Sequence, residues 1–224
     1  MGKAAPIMNF LGLTPEAVLK RMPAEPIRIQ VPSWSGSLLA GALGFAAVSL
    51  LVFGTWAFAG KWFYGHLGEA GAYLAWALLF IVGAGDVFSR LVIGPGSGAR
   101  FRGGFAMAFL AYSVAWMAAW FALRGAAGEW SGAVAGTAAF GLLLCAMFDG
   151  WAGWRSVLLG LLAGNVAGYF LGSVLHAHWG GTTGKLLWGL AYGLGFGAGI
   201  GHALYVVQSG IRQRLVEAVP LPPG

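Results

Sequence analysis

Six stretches of this chain, at 37–58, 71–90, 103–123, 131–148, 156–176 and 185–208, are each long and apolar enough to cross a bilayer. About 20 mostly apolar residues in a helix reach across roughly 30 Å of hydrocarbon. Lipid offers the backbone no hydrogen-bond partners, so a spanning segment of this length is helical. The stretches are joined by short connections, which predicts antiparallel neighbours and leaves no room for a separate soluble domain. The fold class read from this pattern is an all-α integral membrane protein, six transmembrane helices forming three antiparallel hairpins.

Composition supports lipid as the solvent. Only 9% of the 224 residues are charged and 58% are hydrophobic, with a mean hydropathy of +0.76. A soluble domain carries about a quarter charged residues to coat its surface. The net charge of +6 does not mark a nucleic-acid binder, because the cations are scattered through short connections and form no basic face. Their distribution instead gives an orientation. Lys3, Lys20, Arg21, Arg28, Arg90, Arg100, Arg102, Arg155, Arg212 and Arg214 fall on one side, and only Lys61, Arg124 and Lys185 on the other. Cations collect on the cytoplasmic side, so both termini are expected inside. Residues 1–36 are then a cytoplasmic N-terminal segment, 37–209 the six-helix domain and 210–224 a cytoplasmic tail. In the first segment Thr14-Pro15-Glu16 reads as the start of a short helix to Met22, lying on the membrane surface. Pro23, Pro26 and Pro32 predict an extended stretch after it, and three prolines predict a non-helical tail over 219–224. Compactness and composition suggest a bacterial inner membrane.

The chain repeats itself. Gly44-Phe45-Ala46 recurs as Gly104-Phe105-Ala106, sixty positions on, and Leu50, Trp56, Ala59 and Gly65 match Leu110, Trp116, Ala119 and Gly125 in the same register. Leu74-Ala75-Trp76 falls on Leu190-Ala191-Tyr192, with Phe80 on Phe196 and Asp86 opposite His202. These matches predict three tandem hairpins of one orientation.

Two glycine rows stand out. Gly160, Gly164, Gly168 and Gly172 recur every fourth residue, as do Gly189, Gly193, Gly197 and Gly201. Residues four apart share a helix face, and glycine there lets two backbones approach closely. The expectation is that the fifth and sixth helices touch along Gly164, Gly168, Gly193 and Gly197.

Polar candidates are few. Asp86 and Asp149 close inward-running helices, where the macrodipole disfavours an anion. Arg90 or an arginine of the following connection is expected to pair with Asp86, and Arg155 with Asp149. The sharper reading makes Asp86, Asp149 and His202 a gate. Asn165 is the amide nearest the midplane and is expected to bond to a neighbouring helix or to contact a solute. His66, His176 and His178 lie on the outer side without metal-ligand spacing, and Cys145 stands alone, so no metal or cofactor is predicted. Gly180–Lys185 only imitates a phosphate-binding loop, since Leu186 stands where Ser or Thr should.

No nucleophile, base and metal set converges, so an enzyme is not expected. The favoured function is a helix-packing subunit in a larger membrane complex or homo-oligomer. The alternative is a small transporter or channel for a neutral or weakly polar solute, lined by Asn165, Tyr169 and Tyr192.

Overall fold

A computed structural model describes residues 9–23 and 31–217. Most of the stretch predicted as extended, 24–30 of 24–33, and the proline-rich tail lie outside the described residues. Within them all regular structure is helical: α1 (Pro15–Leu19), α2 (Trp34–Ser89), α3 (Ser97–Leu123), α4 (Gly125–Phe148), α5 (Trp154–Trp179), α6 (Gly181–Val207) and α7 (Ser209–Glu217). Helices α2 to α6 are each long and apolar enough to cross a membrane. Many apolar side chains point outward, Leu51 at 74% exposure and Phe58 at 77% among them. Lipid is the solvent such a surface requires.

Helix α2 has 56 residues, but it is not straight: Gly68 (φ 68°, ψ −179°) interrupts it. The two limbs, 34–67 and 69–89, fold back on one another. A Cβ on Gly83 would meet Val48, and Gly44 lies against Val87, so the pairing is antiparallel. The same backbone step joins α3 to α4 at Arg124 (φ 53°, ψ 168°) and α5 to α6 at Gly180 (φ 62°, ψ −176°). Each hairpin therefore turns at a residue with positive φ, at positions 68, 124 and 180, evenly spaced by 56 residues; at the second and third turns the next residue, Gly125 or Gly181, has positive φ as well. The repeat is real in the backbone, but its register is 56, not the sixty read from identities. The difference is four residues, about one helical turn. A slip of one turn keeps every residue on its own face, which is why the wrong register still produces matches.

The six segments close into a ring. Limb packs on limb, 69–89 packs on α3 (Phe88 on Phe105, Phe80 on Phe109), and α3 on α4 (Gly136 against Tyr112). Helix α4 then meets α5 through Trp130 and Phe170, α5 meets α6, and α6 returns to the limb 34–67. The glycine rows explain the two closest contacts, in an arrangement that differs from the expectation. On α5, a Cβ on Gly168 would lie 2.7 Å from the Ala191 carbonyl oxygen, and Gly164 abuts Gly195 and Gly199 of α6. Gly193, Gly197 and Gly201 face away from α5. They lie against Ala46, Gly41 and Ser37 of α2. Helix α6 is thus sandwiched, with Gly195 and Gly199 on one side and the row 189–201 on the other.

Phenyl rings fill the interior toward the end that carries α1 and α7. Phe45, Phe88, Phe101, Phe105, Phe140, Phe148 and Phe196 are wholly buried, and Phe45 alone contacts Phe80, Phe88, Phe109 and Phe196. That end is also capped. Leu13 and Val18 of the N-terminal segment are buried, so α1 packs on the bundle and does not merely rest on a membrane surface. Arg21 donates to the Gly12 carbonyl at 2.7 Å and to Ser97 Oγ at 3.1 Å. Buried Gln208 accepts from Ile93 N at 2.7 Å and donates to Leu91 O at 3.1 Å, tying the end of α6 to the α2–α3 turn.

Candidate functional site

The opposite half of the bundle, toward the three one-residue turns, is hollow. A cavity of about 280 Å³ opens there. Six aromatic side chains lining it follow one another in a closed circuit. Ring centroids are 6.1 Å apart from Trp116 to Tyr73, 5.9 Å to Trp76, 6.5 Å to Trp56, 5.8 Å to Trp188, 5.3 Å to Tyr169 and 6.1 Å back to Trp116. The two limbs of α2, with α3, α5 and α6, all contribute. Glu129 of α4 completes the wall, and its carboxylate accepts from the Tyr169 hydroxyl at 3.3 Å.

Beneath this annulus lies a polar floor. The Tyr112 hydroxyl donates to Asn165 Oδ1 at 3.1 Å and lies 3.2 Å from the Tyr192 hydroxyl. All three residues are buried, at 7%, 1% and 6% exposure. Below the floor the phenyl cluster begins, with Tyr112 on Phe196 at 5.1 Å. The cavity therefore lies in the half of the bundle toward the turns and is stopped by this floor near the middle.

Several polar groups here lack partners. The indole N–H groups of Trp76 and Trp188 and the Asn165 amide Nδ2 are buried with no acceptor in the protein. An unmet buried donor costs about 1–3 kcal/mol, so such groups are rare without a use. Trp76 and Trp188 line the cavity. At the rim, Arg124 pairs with Glu69 at 2.9 Å and lies over the Phe121 ring, while Trp120 Nε1 also donates to Glu69.

The sequence candidates fare unevenly. Tyr169 and Tyr192 line the cavity, and Asn165 stands behind Tyr112 as a neighbouring-helix partner. Asp86 pairs with Arg102 at 2.7 Å, an arginine beyond the turn, and not with Arg90; both partners are largely exposed. Asp149 makes no ion pair with Arg155 among the described residues. It takes a left-handed conformation as the cap of α4, a 3₁₀ turn at Trp151–Gly153 follows, and Arg155 lies over the Trp154 ring. His202 accepts from Trp34 Nε1 at 3.1 Å through Nδ1 and meets Ser156 Oγ at 3.0 Å through Nε2. It pins the starts of α2 and α5 to α6. Among the described residues Asp86, Asp149 and His202 share no bond, so the alternative in which they form a gate is not assembled. The outer histidines are also separate: His66 stacks on Trp62, His176 on Trp188, and His178 contacts Trp179.

Sequence reading misses Glu129 and most of the annulus. Tryptophan in a membrane sequence reads as an interfacial residue. Only the three-residue spacing of Tyr73 and Trp76 hints that these rings share an inward face. Comparison with known protein families, curated proteins and solved structures returns no match.

Proposed function

We propose that the chain crosses the membrane six times with both termini in the cytoplasm, and that it binds a small, largely apolar molecule from the outer side without transforming it. The aromatic annulus over the Tyr112–Asn165–Tyr192 floor carries this reading. Ligand sites are concave, mostly apolar and aromatic, with a few placed polar groups, and the cavity has each of these properties. The cation bias puts its mouth on the outer face of what we take to be a bacterial inner membrane. A carrier or a receptor for a weakly polar solute fits this design. The rival role, a helix-packing subunit of a larger complex, draws on the glycine rows. Those rows are taken up by contacts within the chain and offer no free face to a partner helix.

The test is tryptophan fluorescence of the full chain in lipid nanodiscs, titrated with small aromatic and aliphatic solutes. Saturable quenching is expected for molecules that fit the cavity, and it should vanish in Trp116→Ala with helicity and elution volume unchanged. Quenching that rises without saturation, equally in both proteins, would mean simple partitioning into lipid and would sink the reading. Recovery of the chain only within a fixed set of other subunits after gentle extraction, with no saturable quenching, would select the complex-subunit role.

A further inference from the structure

We propose that the cavity is a cation site, taking an organic ammonium with an apolar body, and that Glu129 supplies the counter-charge. This rests on the small-molecule reading above and narrows it to one ligand class.

The annulus sets the electrostatics. Aromatic faces carry the negative lobe of a quadrupole, so a cation among them is attracted and an anion repelled, tryptophan acting most strongly. In a hexagon the centre lies one side-length from each corner. A planar hexagon with sides of 5.3–6.5 Å, the spacing of neighbouring centroids here, would hold a central charge about 6 Å from each corner, the outer reach of cation–π attraction. Moving toward one wall shortens the distance to three rings at once. Four of the six rings are indoles.

The protein already uses one of these rings in this way. Lys185 Nζ sits 4.5 Å from the centroid of Trp56, and Lys185 does not line the cavity. An indole of the annulus thus already attracts a cation.

Charge accounting points to Glu129. Glu69 is paired with Arg124, Asp86 with Arg102 and Glu16 with Arg214; Asp149 and Glu217 form no ion pair among the described residues, but neither lines the cavity. Among the described residues no Arg, Lys or His lies within ion-pair distance of Glu129, whose only hydrogen bond comes from the Tyr169 hydroxyl. Among them it is also the only carboxylate lining the cavity. A cation in the annulus would complete it.

The ligand must be organic. A metal ion needs several oxygen ligands to replace its water, and this wall presents aromatic carbon. An alkylammonium is weakly hydrated and bulky enough to touch several rings.

A matched pair separates this inference from the broader one. Phenyltrimethylammonium and tert-butylbenzene have nearly the same shape and differ in charge. Binding to the full chain in nanodiscs, with protein-free nanodiscs as blank, is expected to be at least tenfold tighter for the cation. Glu129→Gln should lower cation affinity about tenfold and leave the neutral molecule unchanged. Equal or tighter binding of tert-butylbenzene to the unaltered protein would overturn the cation assignment while leaving a small-molecule site in place. No saturable binding of either compound would overturn both. The comparison on the unaltered protein decides the matter even if Glu129→Gln does not fold.

Discussion

At the α5–α6 contact, single hydrogen atoms set the distance between two backbones. A Cβ on Gly195 would lie 2.5 Å from the Gly164 carbonyl oxygen and 2.7 Å from Gly168 Cα. Both obstacles are main chain and cannot swing aside. In lipid no hydrophobic drive holds helices together, so this close packing is what stabilises the pair. Gly195→Ala is expected to destabilise by about 1–3 kcal/mol, the range for overpacking a tight core. Gly65→Ala, with nothing within 4 Å of the added methyl group, should be neutral or slightly stabilising because alanine favours helix. Thermal unfolding in detergent compares the two; an equal loss in both would show that the contact does not set the stability. The four-residue spacing makes the α5 row legible in the sequence. The choice of Gly195 and Gly199 as its partners is not legible, since α6 has glycines on two faces.

Among the elements, the one-residue link is the recurring device. Gly68 and Gly180 take its conformation freely, whereas Arg124 holds φ 53° and ψ 168°, a region that side chains avoid. Arg124 is held there by its pair with Glu69 and by the Phe121 and Trp120 rings. Such strain is of order 1–3 kcal/mol, while an exposed ion pair contributes about 0–1 kcal/mol. Arg124→Gly should therefore leave stability unchanged or raise it. Gly180→Ala, with no compensating contact to gain, should lower it by roughly 1–3 kcal/mol. Melting curves that rank the two variants the other way would show that the Glu69 contact outweighs the backbone. The sequence announces short hairpins; it hides the turn positions, because only two of the three are glycine.

The whole molecule is asymmetric along its long axis, with one end sealed and the other hollow. Phenyl packing, α1, Arg21 and the Gln208 clasp close the end that bears α1 and α7. The vestibule lies in the half that holds Lys61, Arg124 and Lys185. If the cation bias sets orientation, cysteine placed at position 61 should react with an impermeant reagent added outside intact cells, and cysteine at position 214 only after lysis. Native Cys145 is buried and should stay silent. Labelling of position 61 only after lysis would invert the molecule and turn the vestibule to the cytoplasm. Composition along the chain is enough to read the apolar segments, the short connections, the side on which cations gather and three hairpins in tandem. Which faces meet was decided by tertiary structure alone. In a soluble protein the contrast between apolar core and polar surface reports how each helix is rotated. Here lipid and core are both apolar, so that contrast is nearly absent. Trp56, Tyr73, Trp76, Trp116, Tyr169 and Trp188 come from five helical segments, and Glu129 from a sixth. Their convergence depends on the rotation of every segment at once, which only the closed packing of the ring fixes.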